Sequence, residues 1–279
     1  MSSNKQDPLL QKHRQQSGPH EFAQLEVTGF ARRVLIRRVL TAGVFLGLGS
    51  MVKSFAARTS LCVAAPQETA GPFPADGTGG QGAEPPNVLS NAGCVRSDIR
   101  SSFAASTAVA PGVPLQVTLC LVNAGDACKP LSGCAVYLWN CNRDGEYSLY
   151  GRGIENENYL RGVQFSDSNG YVRFTTIFPA CYPGRYPHLH LEVFKSDTLP
   201  LTRSSRLLTT QLRVPREACV QVYENASGYE RSAAEFQNVN DRDMVFDSSS
   251  DAELAMQTLA LSGDAARGYA GATGIGIHV

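Results

Sequence analysis

The chain has 279 residues, 43% hydrophobic and 18% charged, and its 25 basic and 25 acidic side chains cancel. That neutrality argues against a nucleic-acid partner, because holding phosphates needs a net basic surface or stripe. The length suits one domain with appendages or two small ones, and abundant Gly and Pro among short runs of Val, Thr, Tyr and Phe point to an all-β domain.

Residues 1 to about 30 are polar and aperiodic, the composition of a disordered leader. Two arginine pairs follow, Arg32-Arg33 and Arg37-Arg38, and then an uncharged run from Val39 to Val52 closed by Lys53. A run of roughly 14 residues is short for a spanning helix, which needs about 20. A basic region before a short apolar core reads as an export signal, so residues 1–61 are taken as leader plus signal. The paired arginines resemble a twin-arginine signal, with ordinary secretion as the other route. No small-x-small cleavage site stands out, which leaves an uncleaved membrane tether as an alternative. Either way the expected location is periplasmic or extracellular.

The eight cysteines, Cys62, Cys94, Cys120, Cys128, Cys134, Cys141, Cys181 and Cys219, include no Cys-x-x-Cys pair. A zinc ribbon or thioredoxin-like motif is therefore disfavoured, and an even number in a β-rich chain predicts disulfides in an oxidising compartment.

Residues 62–279 form the expected folded domain, with an N-terminal arm over about 62–110 and a C-terminal extension over about 225–279. The stretch Pro66 to Pro86 is loop-like and precedes every strand, so it is a linker or an arm packed on the domain. Strands are predicted at 115–122, 135–140, 171–178, 188–194 and 207–214. Asp144-Gly145 and Asp167-Ser168-Asn169-Gly170 supply turns, the second read as a hairpin, and 151–163 as a polar loop. A helix is predicted over 251–257 and an edge strand over 273–279. Short strands at this spacing, without helical periods between them, predict one antiparallel β-sandwich.

The most informative stretch runs from Tyr182 through Pro183-Gly184-Arg185-Tyr186-Pro187 to His188-Leu189-His190-Leu191. Alternate side chains of a strand share a face, so His188 and His190 point one way and Leu189 and Leu191 the other. Two imidazoles serve zinc, copper, nickel or iron about equally. Phenolate is a harder, anionic donor. A free tyrosine titrates near ~10, so a strongly Lewis-acidic ion such as ferric iron is needed to hold it ionised at neutral pH. Ten tyrosines are present, and position alone does not single out Tyr147 and Tyr182.

Several spaced motifs carry a family resemblance. Trp139-Asn140-Cys141-Asn142-Arg143-Asp144-Gly145-Glu146-Tyr147 and Tyr182-Pro183-Gly184-Arg185 with Pro187-His188-Leu189-His190 resemble two segments of the intradiol ring-cleavage dioxygenases. Gln67-Glu68-Thr69-Ala70-Gly71-Pro72-Phe73 is similar to that family's arm. The likeness continues through Asn169-Gly170, Phe174-Thr175-Thr176-Ile177 and Thr209-Thr210-Gln211, with a weaker echo at Asp243-Met244-Val245-Phe246.

The resemblance implies non-haem Fe(3+) held by Tyr147, Tyr182, His188 and His190. It implies a catechol-type aromatic diol and O2 as substrates, cleaved between the hydroxylated carbons to a muconate-type diacid, an activity of aromatic compound catabolism. In the family the residue matching Tyr182 is displaced by substrate and takes up a proton; Arg185 matches a charge stabiliser and Gln211 a glutamine beside it. The closest likeness is to exported single-chain members, since no long helical domain precedes the sandwich. The link between Tyr182 and His188 is shorter than in protocatechuate enzymes, so substrate identity does not transfer. The alternative is an exported β-sandwich that binds copper or zinc through His188 and His190 without oxygenase activity.

Overall fold

Alternation of apolar and polar residues in Leu115-Gln116-Val117-Thr118-Leu119 buries one face of a ten-residue strand, β1 (Pro114–Asn123), and leaves the other partly wet. The computed structural model describes residues 63–79 and 84–279; the leader, the export signal and Cys62 lie outside the described residues. Among the described residues no helix is long and apolar enough to cross a membrane.

The strands after β1 are β2 (Lys129–Pro130), β3 (Ala135–Trp139), β4 (Arg161–Phe165), β5 (Tyr171–Ile177), β6 (His188–Phe194) and β7 (Arg206–Arg213). Three short helices follow, α1 (Arg216–Asn225), α2 (Glu230–Phe236) and α3 (Asp251–Gln257), and then β8 (Ala260–Asp264) and β9 (Gly268–Ile277). One sheet has the order β2-β1-β9-β8 with β5 also on β1; the other has the order β4-β3-β6-β7. Leu115, Val117 and Leu119 of the first sheet and Val136, Leu138, Leu189 and Leu191 of the second meet in one core, so the fold is a β-sandwich.

The histidine-bearing sheet is buried on both faces, which is why every residue of β3 and β6 is buried. Its leucine face meets the other sheet. Its other face, with Ala135, Tyr137, Trp139 and Phe194, is covered by arm residues Ala75, Val88, Leu89 and Cys94. The segment from Pro66 onward is thus an arm laid on the domain.

Five expectations change. The polar loop read over 151–163 ends early, because Arg161–Val163 belong to β4. The sandwich is not wholly antiparallel, because β1 and β9 pair in parallel from Leu115↔Tyr269 to Asn123↔Ile277. β9 is also longer than the edge strand expected over 273–279 and lies inside its sheet, because the β8–β9 pairing supplies a further strand outside it. Asp167–Gly170 is a turn, with Gly170 N–H donating to the Asp167 carbonyl at 2.9 Å, but it carries the chain from β4 in one sheet to β5 in the other. The expected disulfide framework forms only in part: Cys128 is disulfide-bonded, while Cys94, Cys120, Cys134, Cys141, Cys181 and Cys219 are free thiols, five of them buried as small apolar side chains. The helix over 251–257 forms as expected, capped by the reciprocal Ser250–Glu253 box.

Candidate metal centre

Register builds the site. Trp139 of β3 lies opposite His190 of β6, His190 lies opposite Gln211 of β7, and Arg161 of β4 lies opposite Trp139. Directly opposed residues share a face, so Arg161, Trp139, His190 and Gln211 form one row across the sheet under the arm. The Trp139 indole stacks on the His190 imidazole with centroids 4.8 Å apart and planes within 5°. That contact fixes the imidazole plane.

Tyr182 and Arg185 meet through a tight turn. Pro183 sets the first corner, Gly184 supplies a positive φ of 77°, and Arg185 N–H donates to the Tyr182 carbonyl at 3.2 Å. Tyr147 comes from the loop after β3, where Asn142 Oδ1 accepts from the Asp144 and Glu146 amides. Gly145, with φ 85°, lets that loop pass Tyr182 closely; a Cβ there lies 3.2 Å from the Tyr182 Cβ.

Four donor atoms converge. Tyr147 Oη lies 3.2 Å from Tyr182 Oη, 3.5 Å from His188 Nε2 and 3.0 Å from His190 Nε2. Tyr182 Oη lies 3.2 Å from His188 Nε2, and the two Nε2 atoms are 3.1 Å apart. Two bonds of roughly 2.0–2.1 Å to a single ion, opened by roughly 90–120°, separate their donors by roughly 2.8–3.6 Å. All five distances fall inside that range. Among the described residues no three His, Cys, Asp or Glu side chains gather for a metal, so the tyrosines are essential to any such set.

The imidazoles favour a cation between them. His188 Nδ1 lies 2.5 Å from the Tyr186 carbonyl, which makes Nδ1 the protonated nitrogen and leaves Nε2 bare towards the site. His190 Nδ1 is buried without a partner, so either tautomer of that ring leaves one nitrogen unsatisfied. Burial, helped by the nearby Arg185 charge, pushes His188 down to about 3; burial and then His188 push His190 well below its usual value. Both rings are therefore neutral, with lone pairs available. Burial pushes the Tyr147 and Tyr182 phenols upward, the opposite of what anionic donors need, so a neighbouring cation is required to ionise them. The residues present fit a metal ion.

Tyr182 is the most open of the four: Tyr147, His188 and His190 are 4%, 1% and 3% exposed, whereas Tyr182 is only partly buried. Arg185 stands beside that open side. Its Nε donates to Asp243 Oδ2 at 2.9 Å and its Nη2 to Gln211 Oε1 at 2.6 Å. Gln211 Nε2 in turn donates to the Thr69 carbonyl of the arm at 2.8 Å. All six residues expected from the sequence are thus in one cluster. Asp243, Thr69 and Arg161 were missed as members, although the arm and Asp243 lie in stretches that carried the resemblance.

The Dioxygenase family model matches residues 100–250, more than half of the chain. The chain belongs to the intradiol ring-cleavage dioxygenases. No curated protein matches the sequence of this dioxygenase. An intradiol ring-cleavage dioxygenase from Tetranychus urticae shares its fold at a TM-score of 0.52 and 22% identity, over 78% of this chain and 95% of that one. The dioxygenase domain of a carbohydrate-binding fusion protein from Streptomyces sp. SirexAA-E aligns at 0.48 and 22% identity, over 78% and 99%.

Proposed function

We propose that this dioxygenase binds non-haem ferric iron through Tyr147, Tyr182, His188 and His190 and cleaves a catechol-type ring between its hydroxylated carbons. Both atoms of O2 enter the product, a muconate-type diacid. The observation that carries the reading is the convergence of two phenol oxygens and two imidazole Nε2 atoms at 3.0–3.5 Å, with the partly exposed Tyr182 on the open side. A copper or zinc reading uses the histidines but leaves the two convergent phenols without a role.

When bound, ferric iron would lower the diol pKa and draw electron density from the ring. The chain's own groups do the rest. Tyr147, His188 and His190 are buried, so the partly exposed Tyr182 would be the donor that yields its place to substrate. Its Oη takes up a proton from the incoming diol. Arg185 then sits where negative charge develops on the ring, held in aim by Asp243 and Gln211. The arm excludes water on the far side of His190, where Gly71 runs past the ring.

The test is O2 uptake with a panel of ring-substituted catechols, together with absorbance of the diacid product. One O2 consumed per ring opened supports the reading; iron-loaded protein that consumes none with any diol contradicts it.

We further propose export through the Arg37-Arg38 signal, in a route that carries the folded, metal-loaded domain. Replacing both arginines with Lys is expected to retain the protein in the cytoplasm, and unchanged export would reject that route.

A further inference from the structure

We propose that Arg161 is a positioning residue for Tyr147, an inference that rests on the iron site described above. Arg161 is 1% exposed, yet each acceptor its side chain meets is neutral. Its Nε donates to Ser148 Oγ at 3.0 Å and its Nη2 to the Ser148 carbonyl at 2.9 Å. Its Nη1 donates to Tyr137 Oη and to the Pro74 carbonyl, both at 3.1 Å. One guanidinium thus grips the residue next to Tyr147 at two points and the arm at a third. A buried charge is costly without an anionic partner and persists only where many hydrogen bonds converge on it.

The grip is extended on both sides. Ser148 Oγ, while accepting from Arg161, donates to the Tyr159 carbonyl at 2.7 Å and so ties the two ends of the 148–159 loop together. The Tyr147 carbonyl accepts from the Tyr150 and Gly151 amides at 3.2 and 2.8 Å, and Tyr150 Oη accepts from the Ala75 amide of the arm at 3.0 Å. Leu149 and Leu160, adjacent to the two gripped positions, hold positive φ values of 71° and 57°. A bulky residue is rarely found there, and such strain persists only where the surroundings over-determine it. The guanidinium does not touch the four donor atoms. It acts through Ser148, and it belongs to the same cross-sheet row as Trp139 and His190.

The test compares Tyr147→Phe in the parent chain and in Arg161→Gln, each full-length and loaded with ferric iron, by the visible tyrosinate-to-iron band. In the parent, Tyr147→Phe is expected to remove about half of the band, one of two phenolates. In Arg161→Gln that share is expected to be already lost, so adding Tyr147→Phe changes little, and Arg161→Lys is expected to restore part of it. Ser148→Ala, which deletes only the Oγ contact, carries the same comparison if Arg161→Gln does not fold. Equal loss from Tyr147→Phe in both backgrounds overturns the positioning role. A colourless iron-loaded parent overturns the metal-site reading, and the positioning role with it.

Discussion

Arg185 and Asp243 form an ion pair at 2.9 Å at the edge of the candidate site, the Arg side chain 13% exposed and the Asp 2%. Asp243 is fully committed: its carboxylate also accepts from the Tyr186, Val245 and Phe246 amides. The loop after α2 therefore both anchors the Tyr182–His188 link and aims the guanidinium. Asp243→Ala is expected to destabilise the domain by about 3–5 kcal/mol, as when one partner of a buried pair is deleted. Asp243→Asn keeps one acceptor oxygen but turns the other into an N–H donor, facing either Arg185 and the Tyr186 amide or the Val245 and Phe246 amides, and is expected to lower kcat about tenfold or more with iron content unchanged. Urea denaturation, iron analysis and steady-state rates separate the two effects.

The donor set makes an ordered prediction. His190→Ala removes a proposed ligand, the stacking partner of Trp139 and the centre of the cross-sheet row. It is expected to abolish iron retention, whereas His13→Ala and His20→Ala leave iron content at the parent level. Metal analysis after gel filtration decides it, and retention of full iron by His190→Ala contradicts the assignment.

Gly145 holds a positive φ, and an added Cβ lies 3.2 Å from Tyr182 Cβ. Gly145→Ala is expected to cost about 1–2 kcal/mol from backbone conformation alone. It is also expected to shift the visible band, because Tyr182 must move away. Gly153 has φ 81° with nothing within 4 Å of a Cβ, so Gly153→Ala is the control: a similar stability cost with an unshifted spectrum.

Glu68, on the arm, titrates in an unusual range. Burial pushes its carboxyl from an ordinary 4.5 up to about 7, against the opposing pull of hydrogen bonds from Gln257 and Gln211 and of the Arg185 charge. Between those two values the folded chain holds a proton that the unfolded chain has released. Stability therefore falls as pH rises from about 4.5 to about 7 and levels off above it. The side chain keeps some contact with water, so the expected loss is about 1–2 kcal/mol, below the full linkage value. Glu68→Gln is expected to flatten that part of the stability profile, measured by urea denaturation at several pH values.

How much of this was legible in the sequence follows from how local each feature is. His188 and His190 could be put on one face because strand alternation is local, and their Nε2 atoms do meet at 3.1 Å. The Tyr182–Arg185 turn was legible for the same reason, since Pro and Gly stand at the positions a tight turn demands. β4 was hidden inside an expected polar loop because its first residue, Arg161, is a buried charge, which no periodicity reveals. α1 was missed although Ala218, Cys219, Val222 and Tyr223 recur at helical spacing behind Pro215; the short α2 offers too few turns to show a period. The even number of cysteines suggested bridges, but six of those thiols are free. The contacts from Thr69 to Gln211 and from Pro74 to Arg161 join residues far apart in sequence, so only the fold reveals them.

The central claim, a ferric site with two phenolates, is tested most directly by metal analysis and a visible spectrum of the purified chain, before and after anaerobic addition of catechol or protocatechuate. The account predicts stoichiometric iron, a coloured protein and a band that shifts when a diol that serves as substrate is added. A colourless protein carrying stoichiometric zinc or copper contradicts it.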